Sequence, residues 1–528
     1  MSNHQEHLSC ACCGVSRRSF LGTSCAGVAG AVGGTLPLVN TARAGDKNGK
    51  MKVRVVFELD TLTPALERQG WPNIGYDFTP MIERTMNALN SRCEGIDFIS
   101  SIAVANHAEN TFLAEDAAAG NIDGYFVFPL VSNGAVHVIL QTGKPVLYAD
   151  FLYCGTGAFL IYTAGHLRGK TPNFAFMSTG SVHDWVAAAQ CFTLAKNGDV
   201  AAFVDGVTKV RIARTPDIKL PELMEDKVDL LTNEELFKEL KGKKLLLVEG
   251  IGPDHPLVGV VRESLGIELV DVAFTELNDL WEKADKAKAR EIVKEWQIEA
   301  EDIIGVPNDV LESSARMYLA KKALLEKYGA SGITVNCLGG FYGGAIHAYP
   351  CLGHHELLNS GLVGACERDI TSSLTMLVMT ALTKGRAGFI SDPVMDSSTR
   401  QVIYAHCVAP SKAFGPNGPS NPYTIMTHSE DRLGASVRSI MPPGYMTTTV
   451  ELTPERKQIL FHQAVTVGNS AEDRACRTKL AAIPVGSYEK MFTQWDQWGW
   501  HRVTYYGDLR EAVFSLAKAL GWEVIEEA

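Results

Sequence analysis

Between Gly361 and Pro410 the chain reads GLVGACERDITSSLTMLVMTALTKGRAGFISDPVMDSSTRQVIYAHCVAP. Two carboxylates and an imidazole in this stretch, Glu367, Asp392 and His406, each stand next to a segment patterned for regular structure. Oxygen and imidazole donors of this kind suit a hard divalent cation, which keeps waters or substrate oxygens in its remaining positions. A hydroxyl-rich molecule fits those positions. Two carboxylates beside one cation also suit acid–base work, one removing a proton and the other returning it. Each residue has a purely structural reading as well. Glu367 can serve as an acid favoured at a helix N-terminus, and Asp392 before Pro393 is a common turn former.

The elements that must hold these residues follow from the apolar pattern. Ile370–Thr383 has an almost wholly apolar middle, LTMLVMTAL, which predicts a buried helix, and Asp369 and Thr371 can cap its start. Asp392 ends one short strand and His406 lies in the next. Upstream, apolar strands at Lys52–Phe57, Gly124–Pro129, Pro145–Ala149 and Asn173–Met177 alternate with helical stretches such as Thr79–Asn90. That alternation predicts βαβ units around a buried parallel sheet. A second α/β pattern starts near Thr171, with strands at Lys243–Gly250 and Ile267–Phe274 and helices at Lys283–Trp296 and Asp309–Tyr328. Gly332–Leu338 predicts a further buried strand, followed by the glycine-rich run Gly339–Gly344. That run lacks the Lys-Ser/Thr ending of a phosphate loop, and no well-placed G-x-G-x-x-G occurs. Downstream, the Pro/Gly/Ser-rich loop Phe414–Pro422, the β-like run Met446–Leu452 and a closing helix Leu509–Leu520 suggest a mixed α+β unit.

ACERDI, then FISDPVMD, then YAHCVAP resembles the C-terminal domain of the L-fucose isomerase / L-arabinose isomerase superfamily, nearer to its fucose isomerase branch. The likeness continues upstream in ITVNCLGGFYGG and PCLG, and downstream in WGWHRVTYYGDLREAV. It implies an α/β fold of two flavodoxin-like three-layer domains followed by a C-terminal α+β domain containing a small antiparallel β-barrel. On that plan residues 45–170 and 171–355 form the two α/β domains, and 356–528 carry the metal site. The resemblance assigns a divalent metal, Mn²⁺, to Glu367, Asp392 and His501, with Glu367 and Asp392 doubling as the acid–base pair. It departs from the family at two points. Trp500 stands where a second histidine is usual, and Arg368 where glycine is usual. His406, His428, Arg368 and Trp500 are the expected substrate contacts. The implied activity is interconversion of a free aldose and its ketose through an enediolate, in a homo-oligomer that by resemblance is a hexamer. An epimerase or lyase acting on a sugar derivative, or a non-catalytic carbohydrate-binding protein, would use the same scaffold.

Composition sets the outer bounds. The 528 residues exceed one hydrophobic core. A net charge of −11 argues against a nucleic-acid partner and gives no attraction to an anionic membrane surface. The twelve cysteines show no paired C-x-x-C framework, and Cys337, Cys351, Cys366 and Cys407, in or beside apolar segments, read as free buried thiols. Ser16-Arg17-Arg18-Ser19-Phe20-Leu21-Gly22, a Gly/Ala-rich apolar run and Ala42-Arg43-Ala44 together predict a twin-arginine signal peptide over 1–44, hence export to the periplasm. The run is too short and too glycine-rich for a stable membrane anchor.

Overall fold

The computed structural model describes residues 49–59, 72–104, 111–130, 134–154, 157–429 and 431–528. The predicted signal segment lies outside the described residues.

Strand β1 (Met51–Leu59) lies between β2 (Ile96–Val104) and β3 (Gly124–Pro129), and the sheet continues through β4 (Val146–Asp150) to β5 (Phe174–Ser178), all parallel. The order β2-β1-β3-β4-β5 is one that doubly wound flavodoxin-type sheets use. Both faces are covered, which is why these strands read as continuous apolar runs. On one face Val53, Val55, Phe126, Phe128 and Leu147 pack with Met81, Leu89, Trp185 and Phe203 from helices Thr79–Arg92, Val182–Gln190 and Val200–Arg214. On the other, Val56, Tyr125, Val127 and Tyr148 pack with Phe112, Ile139, Phe159 and Leu160, and this core runs on into Phe389, Tyr404 and Ala464 of the C-terminal unit.

A second parallel sheet has β6 (Lys244–Val248) flanked by β7 (Glu268–Val272) on one side. The short β8 (Asp302–Ile304) lies outside it, and β9 (Gly332–Val335) and β10 (Val363–Ala365) complete the order β10-β9-β6-β7. β5, which follows residue 170, pairs along its length with β4, and β10, which follows residue 355, pairs with β9. A short apolar strand reads the same whichever sheet accepts it, so sequence pattern does not assign it. The glycine run begins within helix Cys337–Tyr342, whose Asn336 cap accepts the Gly339 N–H.

The C-terminal unit contributes β11 (Phe389–Asp396), β12 (Gln401–His406), β13 (Tyr423–Met426), β14 (Ser436–Ser439), β15 (Met446–Thr453), β16 (Gln458–Asn469), β17 (Thr478–Val485), β18 (Arg502–Tyr506) and β19 (Glu523–Glu526). Six of them, β15-β18-β11-β12-β17-β16, form an antiparallel ring that β15–β16 pairing closes, and β19 adds parallel to β16. Closure removes the unpaired edges that an open sheet would expose. β13 pairs antiparallel with β14 and parallel with β8, tying the second and third units together. Helix Ile370–Leu382 packs its apolar face against the second sheet and the barrel at once. No described helix is long and apolar enough to cross a membrane.

Candidate metal centre

The site lies where the end of β10 meets the rim of the barrel. Beyond β10, Glu367 and Arg368 both adopt left-handed backbone conformations, with φ of 61° and 53°. Non-glycine residues pay for that region and stay there only when their surroundings impose it. Here the Glu367 N–H donates to Cys337 Sγ (3.3 Å) and the Arg368 N–H to the Val335 carbonyl (3.0 Å). Asp369 then caps helix Ile370–Leu382 by accepting the Ser372 N–H at 2.9 Å. The two-residue kink carries the Glu367 carboxylate toward the barrel.

On the barrel side, register does the placing. Ser391 pairs with Arg502 and Asp392 with Ala405, so Asp392 of β11 lies level with His501, one residue before β18, and close to His406 at the end of β12. His406 Nε2 is 3.8 Å from Glu367 Oε1, and His501 Nε2 is 3.9 Å from Glu367 Oε2 and 3.6 Å from Asp392 Oδ1. Ligand atoms of Glu367, His406 and His501 all fall within 4.8 Å of one another. These gaps are too long for hydrogen bonds, and they match the spacing of donors around a cation bound at about 2.0–2.2 Å. His406, Asp392 and His501 are buried. Both ring nitrogens of His406 and Nε2 of His501 have no hydrogen-bond partner among the described residues. Buried polar atoms in that state call for an ion or water, and two imidazoles with carboxylates could hold a divalent cation.

Burial opposes a charged His501 ring, yet Asp392, the Asp369 hydrogen bond and Glu367 outweigh it and raise its pKa to about 10. His406 moves the other way, lowered by burial and by His501. The pKa values of two imidazoles with ring centroids 5.2 Å apart are thus shifted in opposite directions.

The other expected residues disperse around this centre. Arg368 Nη1 donates to the carbonyls of Glu249 (2.6 Å) and Gly250 (3.1 Å), beyond the end of β6. His428 packs on Phe341 and Tyr349, and its Nδ1 is 3.8 Å from Asp431. Trp500 lies beside Gly157 of the first unit: a Cβ at Gly157 would stand 3.6 Å from the Trp500 ring and 3.6 Å from Asp392 Oδ1. The indoles of Trp495 and Trp498 are covered by the guanidinium groups of Arg502 and Arg456, at 4.1 and 4.0 Å, so cations already occupy those faces. His354 and His355 are buried inside helix Cys351–Asn359. The motifs announced Asp369 only as a helix cap; its contact with His501 joins positions 132 residues apart and left no local signal.

No family model matches the chain. It is 23% identical over 270 residues to the sulfoquinovose isomerase of Priestia aryabhattai, covering 50% of this chain and 58% of that protein. It is 22% identical over 304 residues to the sulfoquinovose isomerase of Clostridium sp. (strain MSTE9), covering 55% and 66% respectively. The chain thus spans little more than half the length of the first of these relatives. A periplasmic ribose ABC transporter structure from Conexibacter woesei DSM 14684 aligns over 64% of this chain and 87% of its own, at 13% identity. Its TM-score of 0.18 is too low to indicate a common fold. The sequence similarity is to sugar isomerases.

Proposed function

We propose that this protein is a metal-dependent aldose–ketose isomerase acting on a free sugar. The observation that carries the reading is the convergence of Glu367, His406 and His501 within 4.8 Å, with Asp392 Oδ1 3.6 Å from His501. The likeness to sulfoquinovose isomerases supports it independently. Glu367, Asp392 and His501, joined by His406, would hold the cation, for which Mn²⁺ is the candidate. Bound there, such a cation would polarise the substrate's carbonyl and make the proton on the adjacent carbon more acidic.

The chain's own groups do the rest. Glu367 and Asp392 belong to different units and approach the centre from different elements, so one can take the proton from carbon while the other serves the oxygen side. Asp392 and both imidazoles are shielded from bulk water. Gly157 and Trp500 narrow one side of the site. The proposal extends to export by the twin-arginine route and to a homo-oligomer. The relatives' name makes sulfoquinovose, an aldose carrying a sulfonate, the first substrate to try.

The test incubates purified protein and Mn²⁺ with a panel of neutral and sulfonated aldoses and measures ketose. Ketose from at least one member is expected. Deuterium uptake from solvent at C2 without ketose would move the reading to an epimerase. Sugar binding with neither product nor exchange would leave a carbohydrate-binding protein.

A further inference from the structure

Sequence motifs name the atoms that face a cation but not what fixes their orientation. His501 Nδ1 is 2.8 Å from Asp369 Oδ2, and its other nitrogen, Nε2, is the one aimed at Asp392 and Glu367. A carboxylate only accepts hydrogen bonds, so Asp369 requires a proton on Nδ1, and Nε2 is the nitrogen a cation would take, displacing the proton it carries in the metal-free protein. Asp369 is itself held from three sides. Its backbone N–H donates to the Cys366 carbonyl (3.2 Å), its Oδ1 accepts the Ser372 N–H (2.9 Å), and its Oδ2 accepts from Ser372 Oγ (3.0 Å). Ser372 Oγ in turn lies 3.2 Å from both oxygens of Glu451, a buried acid of β15. One residue therefore ends the left-handed kink that presents Glu367, caps helix Ile370–Leu382 and orients the imidazole across the gap.

We propose that Asp369 is the positioning residue of the centre, setting the tautomer and angle of His501 and thereby the affinity of the site for its cation. The proposal rests on the metal-site reading above. Partners of this kind behind a metal-bound histidine typically contribute 10–100-fold in metal affinity. Asp369 would also couple the two sides of the site, since the same residue follows Glu367 in the chain and grips His501 from the barrel.

Asp369→Asn separates positioning from capping, because asparagine caps a helix about as well as aspartate but is no longer an obligate acceptor. The measurement is Mn²⁺ titration of protein freed of metal with EDTA, read by electron paramagnetic resonance, alongside melting of the metal-free forms. Wild-type melting with a roughly 10–100-fold weaker Mn²⁺ affinity is expected. Asp369→Ser, which also caps but is too short to reach His501, should behave alike and replaces Asn if that variant does not fold. Ser372→Ala, which removes the Ser372 Oγ contacts with Asp369 and Glu451 but spares the Ser372 N–H and His501 bonds to Asp369, should weaken Mn²⁺ binding less than either Asp369 variant. Wild-type affinity in both Asp369 variants would overturn the proposal. Wild-type protein that binds none of Mn²⁺, Mg²⁺ and Co²⁺ would overturn it together with the metal-site reading. Wild-type protein that binds Mn²⁺ yet makes no ketose would overturn only the isomerase reading, leaving the role of Asp369 standing on the affinity data.

Discussion

Glu367 is set apart by its backbone before its side chain. Consecutive left-handed residues without glycine are expensive, and hydrogen bonds to Val335 at the end of β9 and to the Cys337 thiol just beyond it hold them in place. The outcome is a carboxylate 3.8 and 3.9 Å from two histidines of a different unit. Glu367→Gln keeps the size of the side chain and the kink while removing the charge and the proton acceptor. Isomerisation should fall by about 10²–10⁴-fold, the usual worth of a positioned acid or base, while the metal-free variant melts as wild type does. Turnover of ketose per enzyme, read beside a melting curve, checks both halves. Near-normal turnover would remove Glu367 from the chemistry.

At the scale of elements, the barrel fixes the loop that delivers His501. Arg502 of β18 donates to the His501 carbonyl (2.9 Å), lies over the Trp495 ring, and pairs with Glu527 Oε1 (2.9 Å). Glu527 also accepts from His462 Nδ1 (2.9 Å), whose Nε2 is 2.6 Å from the Tyr404 hydroxyl inside the ring of strands. Burial alone would raise the Glu527 pKa, but Arg502 and His462 hold it down to about 2, against an ordinary 4.5. A depressed carboxylate contributes stability that is fully present above 4.5 and is lost as pH falls toward 2. The difference corresponds to roughly 3 kcal/mol. Denaturant unfolding between pH 6 and 2.5 should therefore show an acid-dependent loss that Glu527→Gln reduces, at the cost of lower stability near neutrality. An unchanged pH slope in that variant would mean the pair is not coupled to folding.

On the scale of the whole molecule, the centre is a junction. Glu367 comes from the end of the second sheet, Asp392, His406 and His501 from the barrel, and Gly157 of the first unit closes in beside Trp500 and Asp392. A cation bound there should stabilise the assembled chain rather than one unit. At about a hundred times its dissociation constant the gain is roughly 2.7 kcal/mol. Thermal unfolding with EDTA, then with Mn²⁺, Mg²⁺ or Co²⁺ restored, measures it. A melting curve indifferent to all three would remove the metal from the picture.

The linear chain determined what is local. Alternating apolar strands and helices, a buried helix after Glu367, the cap at Asp369 and the carboxylate-bearing motifs all depend on spacing within a few residues, where periodicity and capping chemistry act directly. β3 follows the expected Gly124–Pro129 bounds, and helix Asn308–Tyr328 begins one residue early. Tertiary structure decided what depends on pairing between distant segments. β5 pairs with β4 and β10 with β9, because a strand's sheet is chosen by its neighbours rather than its composition. His406, expected beside the substrate, came within 3.8 Å of Glu367 through the β11–β12 register, and His501 met Asp392 through β11–β18 pairing. Asp369 became the partner of that histidine only once β18 had been brought against the start of the helix. Side-chain chemistry is written residue by residue, but the distances that make it a site exist only after strands choose their partners.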